Sequence, residues 1–231
     1  MARRALEGVG LGPGDRVVEL APGLGLTSEA VLERAPRSWT AVEPDPIACE
    51  HLERALAGPG RDVVRAPVDA TGLEEASASV VLVDALLSTL PDEAAGAVLG
   101  EGARLLRAGG RLALHELAPA DGAGREALDD VASAGLSPRA VDAWRALAED
   151  AGLVVVGSLH GPLGLPAPRD LMREAGPRTA LRITRELARD GTLRSAAIAA
   201  RETLERRVPD LRSALVVAEK PLILGMRRPR R

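Results

Sequence analysis

Phenylalanine and tyrosine are absent from this sequence of 231 residues, and its aromatic side chains are limited to Trp39 and Trp144. No tyrosine can therefore act as a general base. No Phe or Tyr can stack on a nucleobase or surround a quaternary amine. A platform for a flipped-out nucleotide would have to use the two tryptophans, and we expect both of them to pack inside the protein.

Cysteine is almost absent as well. Cys49 is the single one, so an intrachain disulfide and a cysteine-rich metal site are both excluded. The three histidines do not show the His-x-x-x-His spacing of metal ligands, and no metal is expected. A serine-centred nucleophile elbow is also missing. We expect Cys49 to be a small buried apolar side chain.

Neither sign of charge dominates the sequence. The net charge of -3 provides no general attraction to nucleic acid. No stretch reaches the roughly 18 uncharged apolar residues of a membrane-spanning helix, and the first residues lack an apolar core with a cleavage signal. We therefore predict a cytoplasmic protein with no nucleic-acid or membrane partner. The basic tail, residues 226–231, is interpreted as a solvated end.

Strand and helix patterns alternate through the first half of the chain. Predicted strands cover residues 16–20, 39–43, 62–66, 79–84 and 111–116. Predicted helices cover residues 27–34, 45–56 and 91–106, after a short helix within residues 1–11. This alternation implies right-handed crossovers and a parallel sheet.

The second half adds further elements to the same sheet. A polar stretch at 118–138 precedes a predicted helix at 141–151, and two more strands are predicted at 153–158 and 213–218. Residues 168–207 have a helical pattern in two or three pieces. The prediction is an α/β fold, Rossmann-like and doubly wound. A mostly parallel seven-stranded sheet has helices on both faces, in one domain, 1–231, with a helical insertion at about 160–212.

A glycine-rich loop joins the first predicted strand to the next helix. Residues 19–25 have the sequence Glu-Leu-Ala-Pro-Gly-Leu-Gly, and such a turn brings backbone N–H groups to a crevice above the strand ends. The glycines alone do not select a cofactor. Glu19 lies four residues before Gly23, where a dinucleotide fold usually keeps apolar residues, and it suits an ammonium group better than a pyrophosphate. The third glycine of the dinucleotide fingerprint is replaced by Ser28.

A second acid follows the next strand. Glu43 lies 20 residues after Gly23, where a carboxylate can accept both hydroxyls of a ribose, and this fits NAD and S-adenosylmethionine equally well. An NAD(P)-dependent oxidoreductase therefore remains an alternative. Against it stand Glu19, the missing glycine and the absence of a Tyr-x-x-x-Lys pair.

Four segments together carry a family resemblance. They are residues 17–25 (Val-Val-Glu-Leu-Ala-Pro-Gly-Leu-Gly), 41–45 (Ala-Val-Glu-Pro-Asp), 68–73 (Val-Asp-Ala-Thr-Gly-Leu) and 105–112 (Leu-Leu-Arg-Ala-Gly-Gly-Arg-Leu). In this order they resemble the motifs of class I S-adenosylmethionine-dependent methyltransferases. The likeness is greatest to the small-molecule (type 11) branch that includes quinone-biosynthesis C-methyltransferases.

The resemblance implies a cofactor site at the carboxyl ends of the strands. Its expected residues are Glu19, Ala21, Pro22, Gly23, Gly25, Glu43, Pro44, Asp69, Ala70, Asp84 and Ala85. Glu19 would hold the methionine amino group, Glu43 the ribose hydroxyls and Asp69 the adenine amino group. Asp84 and Ala85 would lie beside the reacting methyl group, and the product would be S-adenosylhomocysteine.

Catalytic residues are harder to predict, because the methyl donor is already activated and the protein mainly supplies alignment. A base is needed only where the acceptor loses a proton. The candidates are His115, Glu116 and Asp84, in that order, although a structural role for His115 fits the sequence equally well. His160 is a weaker candidate, and His51 is expected at the surface.

The acceptor is expected to be a small, largely apolar molecule with an oxygen, carbon or nitrogen nucleophile. We expect the insertion at 160–212 to form part of its binding wall, since few residues precede the first strand to cover the cofactor. A non-catalytic, ligand-sensing protein on the same fold is a further alternative. The sequence leaves the oligomeric state open, a homodimer included.

Overall fold

A seven-stranded sheet runs through the part of the chain that the computed structural model describes, residues 2–165 and 191–222. Its strands are β1 (Arg16–Leu20), β2 (Ser38–Val42), β3 (Arg61–Val64), β4 (Ala78–Asp84), β5 (Leu106–Pro119), β6 (Val154–Pro162) and β7 (Leu211–Glu219). The strand order is β3-β2-β1-β4-β5-β7-β6. Strands β1 to β5 are parallel, and β7 runs antiparallel to both of its neighbours. The predicted fold class is confirmed.

Helices cover both faces of this sheet. They are α1 (Ala2–Gly8), α2 (Leu26–Leu32), α3 (Pro46–Ala55), α4 (Asp92–Leu105), α5 (Arg125–Ser133), α6 (Val141–Asp150) and α7 (Gly191–Arg207), with 3-10 turns at Leu87–Thr89 and Val208–Asp210. Apolar side chains of α4 and α6 pack on one face, and those of α1, α2 and α3 pack on the other. Strand β4 is therefore buried on both sides, which explains its unbroken apolar sequence. No helix within the described ranges is both long and apolar enough to cross a membrane.

Helix α3 shows how local sequence determines an element near the glycine loop. The Asp45 carboxylate caps the helix by accepting from the backbone N–H groups of Ile47 at 2.7 Å and Ala48 at 2.8 Å. Pro46 occupies the first helical position, where its missing N–H costs no hydrogen bond. The helix therefore begins at a fixed point, three residues after Glu43.

The structure differs from the sequence prediction in several places. The polar stretch 118–138 contains α5, on which only Ala127 and Val131 are buried. Strand β5 is longer than predicted at both ends, because Leu106 pairs with Ala78 of β4 and β7 pairs with β5 as far as Pro119. His51, expected at the surface, is buried on α3, because it shares the inward face of the helix with Leu52. The predicted helical insertion lies partly outside the described residues, and its described part contains α7.

Both tryptophans and the cysteine are buried as predicted. Trp144 donates from Nε1 to the backbone oxygen of Leu117 at 2.9 Å, and the Arg139 guanidinium lies 4.7 Å from the centre of its ring. The Cys49 thiol donates to the backbone oxygen of Glu43 at 3.1 Å. These hydrogen bonds therefore hold Leu117 of β5 and the residue after β2 in place, beside the carboxyl ends of the strands.

Glu101 attaches the loop after β3 to helix α4. Its Oε1 accepts from the backbone N–H of Thr71 at 3.0 Å and from the Thr71 hydroxyl. Arg104 donates to both carboxylate oxygens and also to the backbone oxygen of Leu73, at 2.7 Å. The hydrogen bond from Arg104 is the largest effect on the pKa of Glu101, which is lowered to about 2.

Replacing Glu101 with glutamine should destabilise the protein by about 1.5–3 kcal/mol at pH 7, the size of a lost charged hydrogen bond, with the partly exposed Arg104 favouring the lower end. The folded pKa is depressed, so the stabilisation is present above the ordinary pKa of 4.5 and is lost as the pH falls toward about 2. Urea unfolding from pH 7 to pH 2.5 should show a shallower acid dependence in Glu101→Gln. Glu74→Gln, at an exposed site in the same loop, is the control. Equal acid slopes in wild type and Glu101→Gln would contradict this role.

Candidate active site

The glycine loop connects β1 to α2 through a tight turn. Its geometry is set by hydrogen bonds from the Ala21 N–H to the Val42 oxygen at 2.8 Å and from the Gly25 N–H to the Pro22 oxygen at 2.9 Å. Gly25 has a φ of +80°, and a Cβ there would approach the Leu52 side chain to 2.9 Å, so only glycine fits. Gly23 also has a positive φ, +59°, but a Cβ on it would meet nothing within 4 Å. The backbone at Gly23 is therefore open to a ligand.

Glu43 anchors the glycine loop through a hydrogen bond to its side chain. It is 4% exposed, and its carboxylate accepts from the Gly23 N–H at 2.9 Å and from the Asp45 N–H at 3.0 Å. This anchoring role was not evident in the sequence, because it depends on β1 and β2 being neighbours. The ribose-binding role of Glu43 stays a prediction.

Glu19 is buried at the end of β1, where it is 3% exposed. The indole N–H of Trp39 donates to its Oε2. Burial raises the pKa of the Glu19 carboxyl to about 7, and the charge of Asp84 acts in the same direction. Trp39 therefore contributes to the site as well as to the core. In the sequence, the only indication of this was its position in the predicted strand 39–43.

Asp84, the last residue of β4, meets His115 on β5, and the two strands are paired at these residues. The His115 Nδ1 lies 2.6 Å from Asp84 Oδ1, and its Nε2 lies 2.8 Å from the Ser213 hydroxyl. The Thr27 hydroxyl donates to the other Asp84 oxygen. Burial raises the pKa of Asp84, but the hydrogen bond and charge of His115, together with Thr27, outweigh it and hold the pKa below its ordinary value. Asp84 is therefore an ionised group at the carboxyl end of β4.

The Glu116 side chain points toward the 3-10 turn Leu87–Thr89. Its carboxylate accepts from the backbone N–H groups of Leu86, Leu87 and Ser88 at 2.6–2.9 Å, and from the Ser88 hydroxyl at 2.6 Å. Burial raises its pKa, but four donors occupy both carboxylate oxygens. The geometry therefore gives Glu116 an anchoring role for the turn, and no oxygen is left free to act as a base.

A cavity of about 620 Å³ lies above these groups. Its acidic and polar side includes Glu19, Asp84 and His115, and Pro22 and Ala85 also line it. Its walls are mainly leucine, contributed by the glycine loop, by α2, by β5 and by segments after residue 135: Leu24, Leu26, Leu117, Leu136, Leu163 and Leu204. No arginine or lysine lines the cavity among the described residues.

The remaining predicted site residues do not line this cavity, and they include Ala21, Gly23, Gly25 and Glu43 at the glycine loop. Asp69 and Ala70 are exposed in the loop after β3, and Pro44 is exposed after β2. His160 is exposed on the edge strand β6. No group of three or more potential metal ligands comes together within residues 2–165 and 191–222. The structure thus brings the predicted methionine-binding residues together, and the adenine-binding residues stay a prediction.

We expect Glu116→Gln to lower the free energy of unfolding by about 2–3 kcal/mol, because an amide NH₂ would face groups that donate to the carboxylate. Chemical denaturation monitored by circular dichroism measures this. The exposed substitution Glu74→Gln, which removes one charge without such donors, should change stability by less than about 0.5 kcal/mol. If Glu116→Gln were as stable as that control, the anchoring role would be wrong.

Comparison with known proteins agrees with this architecture. Residues 17–110 match the family model described as a methyltransferase domain. No curated relative matches the sequence significantly. Among solved structures, that of the cyclase SpnF superposes with a TM-score of 0.71 and 15% sequence identity, covering 96% of this chain and 80% of SpnF.

Two other solved structures are similar. A geranyl diphosphate C-methyltransferase from Streptomyces coelicolor A3(2), in complex with Mg²⁺, geranyl diphosphate and S-adenosyl-L-homocysteine, has a TM-score of 0.66 and 13% identity, covering 95% of this chain and 76% of that one. The cyclopropane synthase MmaA2 from Mycobacterium tuberculosis has a TM-score of 0.66 and 14% identity, covering 95% and 82%. At such identities the superpositions show a shared fold only. Residues 17–110 are therefore similar to a methyltransferase domain, and the chain shares the α/β fold of these solved structures.

Proposed function

We propose that this protein is an S-adenosylmethionine-dependent methyltransferase that acts on a small, largely apolar acceptor. The observation that carries the proposal is the buried Glu19 carboxylate, which lines the cavity beside a glycine loop open at Gly23. S-adenosylmethionine carries an ammonium and a sulfonium, and the acidic side of the cavity suits both positive charges.

The arrangement at Gly23 argues against the runner-up, an NAD(P)-dependent oxidoreductase. In a dinucleotide site the loop N–H groups bind a pyrophosphate. Here the Gly23 N–H already donates to Glu43 at 2.9 Å, and the Glu19 carboxylate lines the cavity beside the loop. Two carboxylates at this loop would repel a pyrophosphate. Titration calorimetry separates the two functions, because NADH binding without S-adenosylmethionine binding would overturn the proposal.

The chain's own contribution to the reaction is alignment and exclusion of water. When bound, S-adenosylmethionine would supply an activated methyl group. Glu19 would bind its ammonium, and the ionised Asp84 would face the positive charge near the reacting centre. The leucine walls would keep water from the acceptor and hold it in line for displacement.

The acceptor wall is proposed to come largely from the second half of the chain. Leu163 and Gly164 follow β6, and Leu204 lies on α7, and all three line the same cavity as Glu19. These residues belong to the predicted insertion at about 160–212. Since they are apolar, they favour an acceptor without a formal charge at that end.

A non-catalytic binding role is the second candidate. Both oxygens of Glu116 and both ring nitrogens of His115 are hydrogen-bonded, so neither of these two predicted bases is free, and Asp84 is the remaining candidate among the described residues of the cavity. Release of S-adenosylhomocysteine from enzyme, S-adenosylmethionine and a metabolite extract distinguishes the two roles. Cofactor binding without release in any extract would favour the sensor.

Replacing Glu43 with alanine should weaken S-adenosylmethionine binding by about tenfold or more, while the fold survives. The substitution removes the proposed ribose acceptor and also frees the Gly23 N–H. Titration calorimetry measures the affinity, and Glu53→Ala, at an exposed position of α3, is the control. Unchanged affinity in Glu43→Ala would remove this residue from the site.

The affinity for S-adenosylmethionine should also depend on pH through Glu19. Its pKa is about 7, so the carboxyl becomes ionised as the pH rises from 6 to 7.5, and binding of the ammonium should strengthen by roughly five- to tenfold. Above about pH 8 the ligand's own amino group loses its proton and binding should weaken again.

The variant Glu19→Gln should bind more weakly and should not gain affinity between pH 6 and pH 7.5. Glu29→Gln, at an exposed position of α2, should keep the wild-type profile. The same rise with pH in Glu19→Gln would show that another group is responsible.

A further inference from the structure

One hydrogen-bonded row crosses the sheet beside the cavity. It consists of Thr27, Asp84, His115 and Ser213, and we refer to it as the polar row. Thr27 donates to Asp84, Asp84 lies 2.6 Å from His115 Nδ1, and His115 Nε2 lies 2.8 Å from the Ser213 hydroxyl. It thus joins α2, β4, β5 and β7, and the sequence analysis predicted Asp84 and His115 as site residues but not Thr27 or Ser213.

The strand register explains why Ser213 meets His115. His115 pairs directly with Leu215 on the antiparallel strand β7, and Ser213 lies two residues away on the same face of the sheet. Ser213 is 1% exposed and does not line the cavity, whereas the side chains of His115 and Asp84 are 20% and 27% exposed. Ser213 can therefore act on the cavity only through His115.

The proton positions in this row follow from its chemistry. The pKa of Asp84 is held below its ordinary value, so its carboxylate accepts, and His115 Nδ1–H is the donor. In a neutral ring the other nitrogen, Nε2, then carries only a lone pair. The Ser213 hydroxyl is placed to donate to that lone pair. Both nitrogens of His115 are thereby occupied within the protein.

We propose that Ser213 is a positioning residue of the active site, which holds His115 as a hydrogen-bond donor to Asp84. This inference rests on the proposed methyltransferase function. It makes Asp84, with one further lone pair on each oxygen, the group that faces the reacting centre. His115, the first candidate for a general base, is then a support for Asp84 rather than the group that receives a proton from the acceptor.

The test is a nitrogen-15 NMR spectrum of the histidine rings in the full chain without added ligand. The chain has three histidines, and His115→Gln identifies the signals of His115. At a pH high enough that a further rise changes nothing, His115 should carry its proton on Nδ1. Its Nε2 signal should be shifted upfield from that of a free unprotonated nitrogen, because it accepts a hydrogen bond.

Three variants separate positioning from a general structural effect. Ser213→Ala should move the Nε2 signal downfield toward the free value, and Ser213→Thr, which keeps a hydroxyl and suits a strand, should restore it. Ser79→Ala also removes a buried serine hydroxyl, but at the far end of β4, and it should leave His115 unchanged. A proton on Nε2 in the wild type, or an unmoved Nε2 signal in Ser213→Ala, would overturn the proposal.

Calorimetry with S-adenosylmethionine connects the row to the site. Ser213→Ala should bind about two- to fivefold more weakly, within the range of one neutral hydrogen bond, and Ser213→Thr and Ser79→Ala should bind as the wild type does. Equal affinity in Ser213→Ala and the wild type would overturn the positioning role. If wild type binds no S-adenosylmethionine, the proposed function fails, whereas the NMR result still reports on the hydrogen bonds alone.

Discussion

The two hydrogen bonds that the Glu43 carboxylate accepts from the loops beside it are the constraint on which the site depends. They fix the backbone at Gly23 and at Asp45, where α3 begins. The turn at Gly25 then allows Leu52 to pack directly against the loop. A buried carboxylate without such donors would be costly, and with them it becomes an anchor between β1 and β2. The opening above Gly23 exists because this anchor holds the loop in place.

Acidic groups at the strand ends divide the cavity into two chemically different sides. Glu19, Asp84 and Glu116 lie on three strands of the sheet and all line the cavity, yet each is held differently. Glu19 receives an indole N–H, Asp84 receives Thr27 and His115, and Glu116 receives the backbone of a turn. Both oxygens of Glu116 already accept hydrogen bonds, and burial raises the pKa of Glu19. The pKa of Asp84 is held below its ordinary value, so Asp84 is the most firmly ionised carboxylate of the three. The leucine walls on the opposite side of the cavity reduce the amount of water that could screen that charge.

The first half of the molecule was largely predictable from its sequence. Alternating strand and helix patterns predicted the seven-stranded sheet, and Glu19, Gly23 and Glu43 could be predicted as site residues because glycine and acid spacing reflects local backbone geometry. Helix α5 was missed because only two of its residues are buried. His51 was placed at the surface because its burial depends on where α3 packs. These errors all concern tertiary packing, which a local pattern does not contain.

The sequence by itself determined the order of the strands along the chain, the glycine turn and the presence of acids at the strand ends. These features depend on residues that are close together in the chain, so local sequence spacing is enough to predict them. Tertiary structure decided what each acid does. Glu116 meets its four donors, and His115 meets Ser213, only because distant strands and turns are brought together in one register. Hydrogen bonds between residues 28 and 98 positions apart in the chain can be specified only by folding.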